Sequence, residues 1–162
     1  MTPTNTNTAA TITFMMGLPA AGKSTWRRAN LVGNVIDPDE VKETHADYDP
    51  KNPHPLHAWS KAITDAMFSA ALVDVAGHHI IDGTGTNAEK MVRRIREASE
   101  AGYRTRLVFV KCTLETSLYR NAQRARNVPE DVVRQKAEDI ATAYDIVSTM
   151  APLTEITTVD ND

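Results

Sequence analysis

Cysteine is almost absent from this chain. A single residue, Cys112, leaves no internal disulfide and no cysteine-based zinc site. It closes the run Leu107-Val-Phe-Val-Lys-Cys112 and reads as a buried strand residue. Long hydrophobic runs are missing too, since nothing approaches the ~18 apolar residues that a membrane-spanning helix needs. The first residues, Met1 to Thr11, are rich in Thr and Asn and lack the charged and apolar blocks of a signal peptide. They predict a flexible tail over residues 1–10 of a cytosolic protein with no membrane partner. A strong charge of either sign is also lacking: the net charge is -3. No general field draws polyanions, so any contact with nucleic acid must come from a local basic patch. Glycine is scarce, at 7 residues in the chain, yet Gly17 and Gly22 fall in one short stretch.

What is present is alternation. Short β-rich runs exchange with longer segments of helical period, the pattern of a parallel sheet covered by helices on both faces. Strands are predicted at Thr11–Met16, Asn34–Ile36, His78–Ile81, Thr105–Cys112 and Glu155–Val159. A helix follows from Lys23 to Leu31. Asp37 reads as the cap of a further helix whose first residue is Pro38, because proline is tolerated in a first helical turn. Leu56, Trp59, Ile63, Met67, Ala70 and Val73 form an apolar stripe at helical spacing, which assigns Trp59 to the core and makes Gly77 the stop. Asn87 and Thr113 cap two more helices, the first with Met91, Ile95 and Ala98 inward and Gly102 at its end. Pro129 opens the last, with Val133, Ala137, Ile140 and Tyr144 on one face. The expected architecture is a three-layer α/β/α domain over residues 11–162 with about five parallel strands.

Gly17-Leu18-Pro19-Ala20-Ala21-Gly22-Lys23-Ser24 fits G-x-x-x-x-G-K-[ST] without a mismatch, with a strand before it and a helix after. Glycines let the backbone curl so that successive N–H groups point at a phosphate. The helix beginning at Lys23 adds its N-terminal partial charge. In such loops the lysine bridges β- and γ-phosphates and the Ser24 hydroxyl meets Mg²⁺, which implies ATP and Mg²⁺ as cofactors and Gly17 to Thr25 as their site. The N-K-x-D motif of guanine-specific GTPases is absent. Asp39, just beyond the second strand, is the candidate general base, and its helix N-terminal position favours a charged carboxylate. Asp37, Asp39 and Glu40 also suit plain capping. Asp82, at the end of the third strand, is a candidate for water-mediated Mg²⁺ binding or acceptor orientation. Thr84, Thr86 and Asn87 share its loop. The segment Asp47 to His57, rich in proline and histidine, is long enough for a substrate loop in which Tyr48 is available to stack.

Asp37-Pro-Asp-Glu-Val-Lys42, Asp82-Gly-Thr84, Arg120-Asn-Ala-Gln-Arg124 with Asn127-Val-Pro129, and the glycine loop continued by Thr25-Trp26 together resemble the zeta-toxin and polynucleotide-kinase group of P-loop kinases, from about Ile12 to Tyr144. The resemblance implies ATP-dependent phosphoryl transfer to an alcohol, with Lys23, Asp39, Arg120 and Arg124 catalytic. Arg120 and Arg124 would belong to a mobile lid ending near Pro129, with Arg126 beside them. Lys42 and Tyr48, with Asp82 and Thr84, would face the acceptor. Lys42 stands where phage polynucleotide kinases carry arginine, which keeps the charge but not bidentate phosphate recognition. The implied acceptor is a hydroxyl of DNA or a nucleotide (a polynucleotide 5′-OH or hydroxymethyluracil in DNA), or else a nucleotide sugar. A nucleotide-binding module without turnover is the reading from another class.

Overall fold

The computed structural model describes residues 9–162, so residues 1–8 of the expected tail lie outside the described residues. Five strands form one sheet: β1 (Thr11–Met16), β2 (Asn34–Ile36), β3 (His78–Ile81), β4 (Arg104–Lys111) and β5 (Glu155–Asp160). Their spatial order is β2-β3-β1-β4-β5, and every neighbouring pair is parallel. Parallel strands need crossovers, and six helices supply or extend them: α1 (Lys23–Asn30), α2 (Pro38–Glu43), α3 (His57–Val73), α4 (Ala88–Ala101), α5 (Leu114–Gln123) and α6 (Glu130–Val147). This is the P-loop kinase α/β fold. β1 and β4 carry Ile12, Phe14, Met16, Leu107, Val108 and Val110, all fully buried, as expected for strands covered on both faces. Among the described residues no helix is long and apolar enough to cross a membrane.

The predicted caps hold. The side chains of Asp37, Asn87 and Thr113 accept from the backbone N–H groups of Asp39, Lys90 and Thr116, and Gly102 ends α4 in the left-handed conformation. Helix α3 departs from its predicted stripe. Its buried residues are Ser60, Thr64, Phe68 and Ala71, one residue round from the expected face. Ser60 Oγ donates to His57 O at 3.0 Å and Thr64 Oγ1 to Ser60 O at 3.1 Å, so neither hydroxyl needs water. Trp59 is therefore not a core residue: it is 37% exposed and stands edge-on to the His45 ring at 4.7 Å. Apolar residues lie around much of this helix, so period alone did not choose its inner face. Nor does Gly77 stop α3, which ends at Val73 with Asp74 as its cap. Gly77 instead turns the chain into β3, with φ 68°. Cys112 lies one residue beyond β4, half-buried, and burial pushes its thiol up.

Register puts the chemistry at one edge. Ile36 is paired with Ile81 and Phe14 with Ile81, so Asp37 and Asp82 leave the sheet side by side, and Gly17 follows two residues farther along, bonded to Thr84. Asp82 N–H donates to Ile36 O at 2.9 Å. Asp37 is buried there, and desolvation, reinforced by Asp82 and Asp39, pushes its carboxyl up from 3.8 to about 7. For a carboxyl raised in this way, stability falls as pH climbs from about 4 to about 7 and is flat above, because the unfolded chain ionises first. Asp37→Asn keeps the cap acceptor and removes the charge. Its thermal midpoint should match the wild type near pH 4, rise progressively above it toward pH 7, and hold that gain at higher pH. Differential scanning calorimetry across that range checks the profile, and a pH-independent difference contradicts it.

Candidate active site

The glycine loop between β1 and α1 is tied down from three sides. Gly17 N–H donates to Thr84 O at 3.0 Å, Ser117 Oγ donates to Pro19 O at 2.6 Å, and Asn161 Nδ2 donates to Ala21 O at 2.7 Å. The segments after β3 and β5, together with helix α5, thus fix one loop. Gly22 has φ 98°, and a Cβ there would collide with the Asn161 amide, so glycine is required on two counts. Ala20 holds φ 59°, the one non-glycine residue with positive φ among the described residues, which places a strained backbone at the centre of the loop. Leu18, Pro19 and Ala21 are buried, Ser24 begins the first turn of α1, and Thr25 is exposed. Lys23 Nζ donates to Gly17 O and Leu18 O, each at 2.9 Å. Desolvation lowers the Lys23 ammonium to about 8; Asp82 opposes that shift and Arg124 adds to it. An ammonium that rests on carbonyls rather than on a carboxylate remains available to a polyphosphate.

Behind the loop lies a buried ion-pair network that the sequence did not announce. Arg27, only 4% exposed, donates from Nε to Asp82 Oδ2 at 3.1 Å and from Nη2 to Glu40 Oε1 at 3.0 Å. Burial raises the Asp82 carboxyl, while Lys23 and Arg27 pull it down. One oxygen of Asp82 is therefore committed to Arg27, and the expected Mg²⁺ role falls to what remains. Arg27 sits one helical turn after Lys23 in α1, where an arginine ordinarily faces water. Only its partner on a distant strand makes it a buried residue.

Of the expected lid arginines, Arg120 lies within α5, while Arg124 follows that helix with Arg126 beyond it. Asn121 is buried and clasps the turn: its Nδ2 donates to Val128 O at 2.6 Å, and its Oδ1 accepts from Val128 N–H at 2.9 Å and Arg124 Nη2 at 3.1 Å. The turn is held at both ends of a six-residue span by one amide. Arg124 lies close enough to Lys23 to repel it, and its Nε is buried without a hydrogen-bond partner. Burial pulls the Arg124 guanidinium below its ordinary range. A buried, orphaned donor beside the loop lysine is the feature a bound phosphate would satisfy. Arg126 turns to the other side, 3.6 Å from Asp39 Oδ2 and 3.5 Å from Glu43 Oε1. Arg120 stands apart, in the field of Asp162 and Cys112, and does not meet Lys23.

Asp39 is half-exposed on α2, with Lys42 Nζ 3.7 Å from Oδ1 and Arg126 on its other oxygen. Lys42 is only 6% exposed, and its Nζ lies 3.5 Å from His57 Nδ1. His57 is lowered by burial and then by Lys42, and Lys136 of α6 is lowered by burial with Asp39 opposing. His57 and Lys136 thus stand near Asp39 and Lys42; of the two, only His57 was marked by the sequence, as the end of the proline- and histidine-rich loop. Tyr48 is half-buried in the loop after α2, Thr84 joins the glycine loop through its backbone, and among the described residues no set of three ligating side chains could hold a metal alone. Mg²⁺ accepts that poverty, since it keeps several waters and binds substrate phosphates beside one or two protein oxygens.

The fold recurs in known proteins. The AvrRxo1-ORF1:-ORF2 complex with ATP superposes at TM-score 0.75 with 15% identity, over 94% of this chain and 55% of that one. The PezAT chromosomal toxin-antitoxin system of Streptococcus pneumoniae gives TM-score 0.72 at 16% identity, over 95% of this chain and 70% of that one. The Pnkp1/Rnl/Hen1 RNA repair complex gives 0.65 at 14%, over 88% and 47%. At these identities the likeness is one of fold, and the chain spans about half the length of the AvrRxo1 and Pnkp1 chains. No curated protein matches the sequence. A family model described as an AAA domain matches residues 12–145. Because that match runs from the first strand well into the last helix, the chain belongs to the AAA domain family, with the P-loop kinase fold.

Proposed function

We propose that this protein transfers the γ-phosphoryl group of ATP to a hydroxyl of a nucleic acid or a nucleotide. The observation that carries the reading is the convergence of Lys23, Asp82, Asp39 and the orphaned Arg124 Nε at one sheet edge. Donor groups and a carboxylate base are thereby neighbours. The acceptor oxygen bonds to the γ-phosphorus as the bond to the ADP oxygen breaks, and the hydroxyl proton passes to the Asp39 carboxylate. Lys23 and Arg124 stabilise charge on the transferred oxygens, where fixed cations are most effective. Ser24 and the free oxygen of Asp82 suit Mg²⁺, which when bound neutralises the polyphosphate. Arg126 and Lys42 position Asp39 from either side. Lys42 at the base, with Tyr48 nearby in sequence, supports a phosphate-bearing or base-bearing acceptor.

Labelled ATP offered with DNA, mononucleotides, nucleotide sugars and water tests the acceptor directly. Label on DNA or a nucleotide is the expected result. Label only on a nucleotide sugar replaces the acceptor and keeps the kinase, and ATP binding without transfer to anything overturns catalysis altogether. Lys23→Ala should lower the transfer rate by at least ~10²–10³-fold, as for other lost transition-state donors. Asp39→Asn should leave ATP affinity unchanged and slow single-turnover transfer by ~10²–10⁴-fold. An undiminished rate would reduce Asp39 to a first-turn acid. Amide exchange between Arg120 and Pro129 should slow when a non-hydrolysable ATP analogue binds, because Arg124 gains its missing partner. Identical exchange with and without the analogue contradicts a lid.

A further inference from the structure

Beside the donor edge lies a cavity of about 240 Å³ whose far wall the glycine loop does not use. Ile36, Pro38 and Asp82 line the near side, and Lys61, Lys90 and Arg94 line the other. Helix α3 sets Lys61 and Asp65 one turn apart, α4 sets Lys90 and Arg94 one turn apart, and the two pairs face each other. All three cations converge on one carboxylate. Lys61 Nζ lies 2.8 Å from Asp65 Oδ2, while Lys90 Nζ at 3.2 Å and Arg94 Nη2 at 2.5 Å share Oδ1. Among the described residues none of the three has another ion-pair partner, so two positive charges remain uncompensated. Arg94 is stacked on the Phe68 ring at 4.8 Å, which fixes the guanidinium and leaves most of its N–H groups unused. Across the cavity Asp82 is paired with Arg27, which it shares with Glu40, and it also feels the Lys23 ammonium. His57, which also lines the cavity, adds no negative charge.

A rigid excess of cations in a partly enclosed space is unfavourable until an anion occupies it. We propose that this wall is a phosphate-binding subsite: the acceptor carries a phosphate of its own, seated on Lys61, Lys90 and Arg94, with its hydroxyl toward Asp39. The proposal rests on the kinase reading above and assigns the residues that hold its acceptor's phosphate. Arginine fixed by an aromatic ring, with one lysine on the turn before it and another on the facing helix, suits the tetrahedral oxygens of a phosphate. That phosphate belongs either to a free nucleotide or to the backbone of a nucleic acid, and the two sources are separated below.

The experiment is an NMR titration of isotope-labelled protein saturated with Mg²⁺ and a non-hydrolysable ATP analogue, so that the glycine loop is filled. Inorganic phosphate is the probe, with sodium chloride at matched ionic strength as control. Saturable shifts are expected at the amides of Lys61, Lys90 and Arg94. In Lys61→Met/Lys90→Met, which leaves the Arg94–Asp65 pair intact, phosphate affinity should fall by about tenfold or more. Asp65→Asn should change it in the opposite direction, because the three cations lose their internal partner; a wall that is merely structural predicts no tightening. Lys90→Met alone serves if the double variant does not fold. Shifts that do not saturate, or that survive the lysine substitutions, or that chloride reproduces, overturn the site. Repeating the titration with a mononucleotide and with an oligonucleotide lacking terminal phosphates identifies the source, since the one that moves the same amides owns the phosphate. Phosphoryl transfer is assayed in parallel, so absence of transfer with an intact phosphate site condemns the kinase reading alone.

Discussion

Arg27 and Asp82 meet in the interior, one on the first helix and the other at the end of a strand, 55 residues apart in sequence. Neither tolerates solitude there. Removing one partner of such a pair leaves an uncompensated buried charge, at a cost of about 3–5 kcal/mol. The same guanidinium reaches Glu40, so α1, α2 and β3 are locked by a single side chain. Through that lock the direction of Asp82 is fixed, and with it the near wall of both the donor edge and the adjoining cavity. The pair thus acts on geometry more than on net stability, since its desolvation offsets much of its attraction.

The glycine loop follows the same logic of multiple restraint. Backbone N–H groups bind phosphate well only if they already point inward, and Ala20 shows the strain that such pointing stores. The bonds from Ser117, Asn161 and Gly17 hold the loop against relaxation. Lys23 rests on loop carbonyls in the meantime. The donor half is held from three sides, while Arg124 and Arg126 ride on a turn clasped by Asn121 and by the ion pairs from Arg126 to Asp39 and Glu43.

Much of this was legible in the residues, and the limits have physical causes. The glycine loop, the Asp37, Asn87 and Thr113 caps and the five strands carry local signals, and strand ends fall within one or two residues of expectation. Helix α3 was read on the wrong face because Ser60 and Thr64 satisfy their hydroxyls within the helix and so go inward as readily as carbon. Arg27 and Lys42 were invisible as buried groups, since burial of a cation is decided by a partner remote in sequence. Arg120 and Arg124 look equivalent in the chain, yet only Arg124 turns toward Lys23. Four residues separate them, and the helix ends between them at Gln123, so they no longer share a face.

Net charge says little about the site, whereas the distribution of charge says more. An overall charge of -3 argues against an anionic partner only if charge is evenly spread. Here it is segregated. Asp37, Asp39, Glu40 and Asp82 gather at the sheet edge, where Arg27 pairs with Glu40 and Asp82, Arg126 pairs with Asp39, and burial beside other carboxylates raises Asp37. Around that centre Lys42, Lys61, Lys90, Arg94 and Lys136 are short of carboxylates. The centre suits a proton-accepting carboxylate among phosphates, whereas the surround suits anionic molecules that must approach it. A phosphoryl transferase faces two anions at once, and cations distributed on both sides of one base are what that problem requires.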